Sequence, residues 1–470
     1  MPTNEIPAPS SELNGLDLGD SRLVQRGRKV VEAIARNPSA SFPEALQSEA
    51  ALEGFYRFIN SDRVTPTALL APHYQEACLR AETAKAILVL HDTTEVQYRG
   101  PARRAGLGRV SNNFQGYFAH VALAVAADTG RRPLGLLALE TYERSWEPSK
   151  KRTSASRRGA QSTKESGRWR RLADAAEAQR QGRFDTIHVM DREADAYELL
   201  AHFCEQDISF VIRVQHNRFL LAEGASRERL EARVTRSVPV IGRSAKLTRR
   251  ARAGRSAESV AAHPVRAERT AHLLVSAAAV EFPVSTTCHD PKASRSLRLH
   301  CVCVDEVSPQ EGLEPVRWRL WTRLPIDEPE QLLTIVDIYR TRWLIEEFFK
   351  ALKTGCALEK RQQESQASLL NVLALLAPIA WRLLLLRHLA HEAPDTPAAE
   401  ALTVSQLDIL RAFSPRQLSA TPTVREGLMA VAALGGHIRN NGQPGWLVLG
   451  RGFEKLLLMD AAWKAARGEM

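Results

Sequence analysis

Residues 336–362 read VDIYRTRWLIEEFFKALKTGCALEKRQ, and this stretch decides how the rest of the chain is interpreted. Up to about Thr354 it has the periodicity of one amphipathic helix of about five turns, and Gly355 is a suitable C-terminal stop. Its polar side chains recur three, four and seven residues apart and therefore share one face. They are Tyr339, Arg342, Glu346 and Lys353. A carboxylate between cations suits a site for metal and phosphate, although a solvated surface helix would show the same spacing.

The positive charge of the chain is concentrated in two segments. The 470 residues carry a formal net charge of +10. Residues 150–171 contribute +8 and residues 213–256 contribute +9, so the remainder of the chain is net −7. Charge clustered in this way indicates a polyanionic partner such as DNA.

Cysteine usage and hydropathy indicate the cellular compartment. The six cysteines form no CxxC pair, a pattern typical of reduced thiols in a cytosol. Residues 1–15 are rich in Pro and Ser, lack the apolar run of a secretory signal, and are predicted to be disordered. The longest uncharged apolar run, near 365–381, contains Asn371 and Pro378 and predicts a buried helix pair rather than a membrane span. We therefore expect a cytoplasmic protein without a membrane partner.

Between residues 86 and 213 the predicted elements follow the order of a ribonuclease-H-like α/β fold. AILVLHDTTEV predicts a buried strand that ends at Asp92, and FDTIHVMDREAD predicts a strand that ends at Asp191. Two strands of a hairpin and a helix over about 168–181 lie between them. Residues 220–325 alternate like strands and predict a β-rich insertion. Glu346 would then be a third carboxylate, on the helix that follows the insertion.

Both ends of the chain are predicted to be helical. Three short helices, over about 21–36, 43–60 and 65–84, suggest a small DNA-binding module, although charged helix faces are also commonly just solvated. Residues 365–470 are mostly helical, with breaks at glycine-rich points.

Two strand-end aspartates and one helical glutamate form a donor set for hard divalent cations. Oxygen ligands favour Mg²⁺ or Mn²⁺. Two such ions can activate a water or a 3′-hydroxyl and stabilise the leaving oxygen of a phosphodiester. Taken singly, an aspartate at a strand end often only caps the following turn.

Four stretches together carry a specific resemblance. They are EGFYRFIN (53–60), HDTTEVQYRG (91–100), VMDREADAYELL (189–200) and YRTRWLIEEFFKALKTG (339–355). They resemble the bacterial cut-and-paste DDE transposases of the insertion-sequence-four group, whose best known member is the Tn-five transposase. The signature Tyr-x2-Arg-x3-Glu-x6-Lys of that group fits without a gap. Residues 1–15 have no clear counterpart in the family.

The resemblance implies roles for individual residues. Asp92, Asp191 and Glu346 would be the catalytic triad and would bind two Mg²⁺ or Mn²⁺ ions. Further residues would contact DNA: Tyr339, Arg342, Lys353, Trp318, Arg213, Arg26, Arg36, Glu49 and Arg57. Trp318 resembles the tryptophan that receives a flipped base during hairpin formation, whereas a core position in the sheet is the alternative. Trp321 is the more natural core residue.

The resemblance also implies a domain layout and a reaction. The layout is a tail (1–15), a helical end-binding domain (16–84), a catalytic core in two parts (85–219 and 326–364) around the β-rich insertion (220–325), and a helical dimerisation domain (365–470). The reaction is strand cleavage, hairpin formation, hairpin opening and strand transfer into target DNA by a homodimer on paired transposon ends, at the bacterial nucleoid. A stand-alone nuclease with a ribonuclease-H-like fold and a domesticated DNA-binding protein are the alternatives.

Overall fold

A computed structural model describes residues 9–466 except 37, 101, 112–113, 147–166, 222–227, 248–267, 287, 289, 292, 310–313 and 439–443. The chain divides into two compact units. The first unit comprises Met1–Lys151, Arg171–Asp185 and Trp343–Met470, and the second comprises Arg152–Arg170 and Thr186–Arg342. Most of the basic segment 150–171, and part of the basic segment 213–256, lie outside the described residues.

The first unit begins with a short 3-10 helix and four α-helices. The 3-10 helix is Pro9–Leu13, followed by α1 (Ser21–Arg36), α2 (Phe42–Leu46), α3 (Glu49–Ile59) and α4 (Pro66–Glu82). The side chains of Ser41, Ser48 and Thr65 accept hydrogen bonds from backbone amides in the first turns of α2, α3 and α4, as N-caps do. The helix predicted over 43–60 is in fact two helices, because Gln47 adopts a left-handed conformation (φ 59°) and Ser48 starts a new helix.

The predicted disorder of residues 1–15 is wrong for the part that the structure describes. Leu13 is 3% exposed and Glu12 is 1% exposed. The Glu12 carboxylate accepts hydrogen bonds from His73 and from Arg80, whose Nη1 lies 2.9 Å from Oε1. This buried ion pair ties the start of the chain to α4. Residues 1–8 lie outside the described residues.

The sheet of the first unit is antiparallel and centred on β3. Its strands are β1 (Ala86–Tyr98), β2 (Gly108–Arg109), β3 (Gln115–Ala126) and β4 (Pro133–Tyr142). β3 is buried along its whole length and pairs with each of the other three. The predicted hairpin of β3 and β4 is therefore confirmed. Helix α5 (Arg168–Arg180) follows, also as predicted.

The second unit contains a mixed sheet in the order β5-β6-β12-β11-β10-β9. β5 (Asp185–Met190) and β6 (Ser209–Arg213) pair in parallel, with α6 (Tyr197–Glu205) as their crossover. The antiparallel strands β9 (Ile241–Leu247), β10 (Arg269–Pro283), β11 (Ser296–Glu306) and β12 (Arg317–Thr322) complete it. β7 (Phe219–Leu220), β8 (Glu228–Arg229) and α7 (Leu230–Thr235) precede them. The strands predicted from the alternation of residues 220–325 are thus present.

The C-terminal part is helical, as predicted. α8 (Pro329–Thr341) belongs to the second unit, and α9 (Trp343–Lys350) to the first. They are followed by α10 (Gln366–Glu392), α11 (Val404–Phe413), α12 (Val424–Leu434) and α13 (Trp446–Ala466).

Helix α10 differs from its prediction. It is one continuous helix that passes through Pro378, not a pair of helices. Its length and hydropathy would allow it to cross a membrane, but 94% of its most apolar stretch is buried inside the fold. A buried core helix passes the same test, so α10 is weak evidence for a membrane span.

Candidate active site and DNA-binding surfaces

Asp92 lies in the middle of a strand and not at its end. β1 continues for six residues beyond it, and Asp92 stands opposite Val121 of β3. Its side chain is partly exposed, and its Oδ1 accepts a hydrogen bond from the Thr93 amide at 2.8 Å. Thr94, Val96 and Tyr98 are buried after it, so the inward alternation persists and keeps the strand in the sheet.

Asp191 lies directly after β5, where the sequence placed it. Its Oδ1 accepts a hydrogen bond from the Glu193 amide at 2.9 Å and caps the 3-10 turn Arg192–Ala194. The capping role and a ligand role are compatible, because an ionised carboxylate offers about four acceptor positions. The side chain is partly exposed.

The helix predicted over 336–354 is interrupted twice. α8 ends at Thr341, α9 begins at Trp343, and a π-helical turn spans Ala351–Gly355. At the first break the Thr341 hydroxyl donates to the Asp337 carbonyl, and the Arg342 amide bonds three residues back to Tyr339. Such side-chain bonding to the preceding turn bends helices. The prediction of one continuous helix over these residues is therefore wrong, and the shared face of Tyr339, Arg342, Glu346 and Lys353 stays a prediction.

Lys353 lies in the π-helical turn and forms an ion pair. Its ammonium is 3.5 Å from the Glu359 carboxylate, and the same Glu359 oxygen accepts a hydrogen bond from the Gln97 amide of β1 at 3.1 Å. Single π-helical turns in α-helices occur frequently at functional sites. Glu359 was not singled out from the sequence, because its contact with β1 spans 262 residues.

The candidate metal ligands are divided between the two units. Asp92 and Glu346 belong to the first and Asp191 to the second. Within the described part of the chain, no three His, Cys, Asp or Glu side chains form a group that could hold a metal ion. The donor chemistry fits, since all three residues are partly exposed carboxylates and hard divalent cations prefer oxygen ligands. Their role as a triad stays a prediction.

In the second unit, Trp318 of β12 packs against Tyr339 of α8. The ring centroids are 5.2 Å apart and the planes meet at 72°. Trp318 is partly exposed, whereas Trp321 is 0% exposed. The prediction that Trp321 is a core residue is therefore confirmed. Trp318 presents an aromatic surface that the core does not fully cover.

Arg213, at the end of β6, stands beside the same tyrosine. Burial lowers the pKa of its guanidinium, and a hydrogen bond with Tyr339 opposes that effect. The positive charges of Arg192 and Arg342 also lower the pKa of Arg213. Trp318, Tyr339 and Arg213 thus form a surface that suits a base and a phosphate, and the charges of Arg192 and Arg342 act on Arg213.

Three of the four candidate DNA contacts of the N-terminal helices lie on or against α3. Arg26 is exposed and lies against Gly54, where an added Cβ would be 3.6 Å from its Nε. Arg57 pairs with Glu53 on the same helix, α3, that begins at Glu49.

Arg36, in contrast, lines an open groove beside the turn that precedes α1. Asn14, Arg28, Lys29 and Glu32 line the same groove. Arg28 was not singled out from the sequence, since a charged helix face looks the same whether it is solvated or binds DNA.

Two family profiles match the chain. The profile described as transposase DNA-binding matches residues 8–64, and the profile described as transposase DDE domain matches residues 157–380. The first begins inside the segment that had no recognised family counterpart. The second profile includes Asp191, Glu346 and the surface formed by Trp318, Tyr339 and Arg213, while Asp92 precedes the matched residues. The two matches identify the chain as a DDE transposase, a DNA-binding enzyme that cuts and joins DNA with the help of divalent metal ions.

Proposed function

We propose that this DDE transposase moves a bacterial insertion sequence of the insertion-sequence-four group by cut-and-paste transposition with a hairpin intermediate. The observation that carries the proposal is the surface formed by Trp318, Tyr339 and Arg213 in the second unit. Hairpin formation requires a base to leave the helical stack, and an aromatic side chain compensates for the lost stacking. A nuclease that only nicks DNA has no need for such a surface.

The arrangement of the surface supports this role. Tyr339 is 6% exposed, and its ring edge holds the Trp318 ring at a steep angle. The partly exposed Trp318 ring can stack on an extruded base. Arg213, together with the charges of Arg192 and Arg342 that act on it, can neutralise a phosphate of the same strand. Tyr339 thus orients both the stacking surface and the Arg213 guanidinium.

Asp92, Asp191 and Glu346 are proposed to hold two Mg²⁺ or Mn²⁺ ions. When bound, such ions activate the attacking water or 3′-hydroxyl and stabilise the leaving oxygen. Lys353, held beside Glu359, would bind a phosphate of the cleaved end.

The proposed reaction is a series of displacements at phosphorus. Water first cleaves the strand at the 3′ end of the element, and the freed 3′-hydroxyl attacks the opposite strand to form a hairpin. A second water opens the hairpin, and the 3′-hydroxyl then attacks target DNA. Trp318 acts in the two hairpin steps, whereas the three carboxylates act in all four.

The remaining parts of the proposal concern the binding partners and the location in the cell. The N-terminal helices would bind the terminal inverted repeats of the element, with Arg26, Arg36, Glu49 and Arg57 near the DNA. Two copies of the chain would act on paired ends, with contacts between the C-terminal helices. The reaction would take place on the nucleoid in the bacterial cytoplasm.

The test uses labelled duplexes that carry the sequences flanking the gene, incubated with Mg²⁺. A nick should appear first and a hairpin second. Because the hairpin joins both strands of the element end, it should run on a denaturing gel as a strand of about twice the length of either one. A pre-nicked duplex should pass directly to the hairpin. Glu346→Gln, which removes the charge and keeps the size, should give neither product. A nick in the intact duplex, with no hairpin from either the intact or the pre-nicked duplex, would contradict the proposal and favour a simple nuclease.

A further inference from the structure

Asp195 carries a buried carboxylate that accepts four hydrogen bonds. The residue is 2% exposed. Its Oδ2 accepts from the backbone amides of Gln215 (2.7 Å) and His216 (2.9 Å). Its Oδ1 accepts from Arg218 Nη2 (2.6 Å) and from the indole nitrogen of Trp321 (3.2 Å). All four acceptor positions of the carboxylate are therefore used.

These four bonds join three elements that the proposed reaction needs. Asp195 ends the 3-10 turn that Asp191 begins, and its own amide bonds to the Arg192 carbonyl at 3.1 Å. Gln215 and His216 follow directly on the end of β6, where Arg213 lies. Trp321 is on β12, three residues after Trp318. Asp195 thus links the turn that contains Asp191, a candidate metal ligand, to the strands that carry Arg213 and Trp318.

General stability does not account for this arrangement. Burial raises the pKa of the Asp195 carboxyl, and Arg218 and the two amides only oppose that effect. A buried ion pair of this kind is often replaceable by apolar residues without loss of stability, and its best attested use is to fix one arrangement of the parts around it. The parts here are the Asp191 turn, the end of β6 and β12.

We propose that Asp195 is a positioning residue that fixes the Asp191 turn relative to the Trp318 and Arg213 surface, and thereby controls hairpin formation more than the first nick. The inference rests on the proposed function. The first nick needs the metal-binding carboxylates but no flipped base. Only the hairpin step needs the 3′-hydroxyl at the metal site and the extruded base on Trp318 at the same time.

The test is Asp195→Asn, because an asparagine has one side-chain oxygen and cannot accept the hydrogen bonds that both carboxylate oxygens of Asp195 accept. Whichever way the amide turns, its NH₂ group faces two donors, either the Gln215 and His216 amides or Arg218 and Trp321. We expect the ratio of hairpin to nick to fall at least about tenfold, the size of effect typical for outer-shell partners of a site. Fluorescence of 2-aminopurine at the base expected to flip should fall in parallel on a pre-nicked duplex.

Two further variants keep the test decisive. Arg218→Lys keeps the charge but replaces the planar guanidinium, whose Nη2 donates to both the Asp195 carboxylate and the Asp195 carbonyl, by an ammonium without that fixed geometry. It should lower the same ratio. Asp207→Asn is the matched control, because Asp207 is a 91% exposed partner of Arg323 in the same unit, and it should leave the ratio unchanged.

Two results have distinct meanings. If the Asp195 and Arg218 variants lower nicking and hairpin formation equally, or lower neither, Asp195 has a structural role only and the inference is wrong. If the wild type makes no hairpin, the proposed function itself has failed, and the wild-type lanes reveal this independently of any variant.

Discussion

The buried ion pair of Glu12 makes a quantitative prediction about the first residues of the chain. Burial alone would raise the pKa of Glu12, but His73 and Arg80 outweigh burial and lower the pKa from 4.5 to about 2. One pKa unit corresponds to about 1.4 kcal/mol, so the charged carboxylate stabilises the fold by roughly 3 kcal/mol at neutral pH. Glu12→Gln keeps the size and removes the charge, and should cost about that much.

The assay is urea unfolding of the full-length chain at pH 7. Glu44→Gln is the matched control, because Glu44 is exposed in the same group of helices and should change the unfolding free energy by less than about 0.5 kcal/mol. Since the folded pKa of Glu12 lies below the unfolded one, its contribution is complete above about pH 4.5 and is lost as the pH falls towards 2. The difference between wild type and Glu12→Gln should halve by roughly pH 3.

The result that would refute this reasoning is a Glu12→Gln variant as stable as Glu44→Gln. In that case the ion pair of Glu12 with His73 and Arg80 would contribute nothing to the free energy of unfolding.

Three further predictions concern single side chains. Trp318→Ala should lower hairpin yield by about 5- to 150-fold with nicking retained, since base–aromatic stacking is worth roughly 1–3 kcal/mol. Trp318→Phe should restore most of the yield, and equal hairpin yields of Trp318→Ala and wild type on a denaturing gel would remove Trp318 from the base pocket. Arg361→Met should lower the urea midpoint, because it leaves the buried carbonyls of Pro38 and Cys356 without their donor; an unchanged midpoint would show that these bonds stabilise nothing. Lys353→Ala should weaken binding of the cleaved end and reduce its salt slope by about 1, and an unchanged slope in a binding titration would exclude the phosphate contact.

Short-range patterns in the sequence predicted many of the elements. β3, β4, β5, α1 and α5 are close to their predicted positions, because each is an apolar run or an amphipathic repeat bounded by turn residues or helix caps. Asp191 was correctly placed at a strand end for the same reason. Asp92 was misplaced although the signal was present. The alternation through Thr94, Val96 and Tyr98 continues the strand, and a carboxylate alone does not end one.

Features that depend on distant contacts were not predictable. The composition of residues 1–15 predicts disorder, but Glu12 is held by His73, 61 residues later. Asp195 binds Trp321 across 126 residues, so the motif around it in the sequence does not reveal this contact. The break between α8 and α9 depends on one threonine hydroxyl and an altered amide bond, and a 3.6-residue repeat does not reveal either.

The central proposal is that Asp92, Asp191 and Glu346 act together in metal-dependent DNA cleavage. It is tested most directly by single-turnover cleavage of labelled end duplexes with Mg²⁺, with Asp191→Ala compared with wild type at equal amounts of bound DNA. We predict that the variant binds the end as wild type does and makes no nick, because it lacks a ligand of the metal ions that would activate the attacking water. Cleavage by Asp191→Ala at the wild-type rate would contradict the assignment.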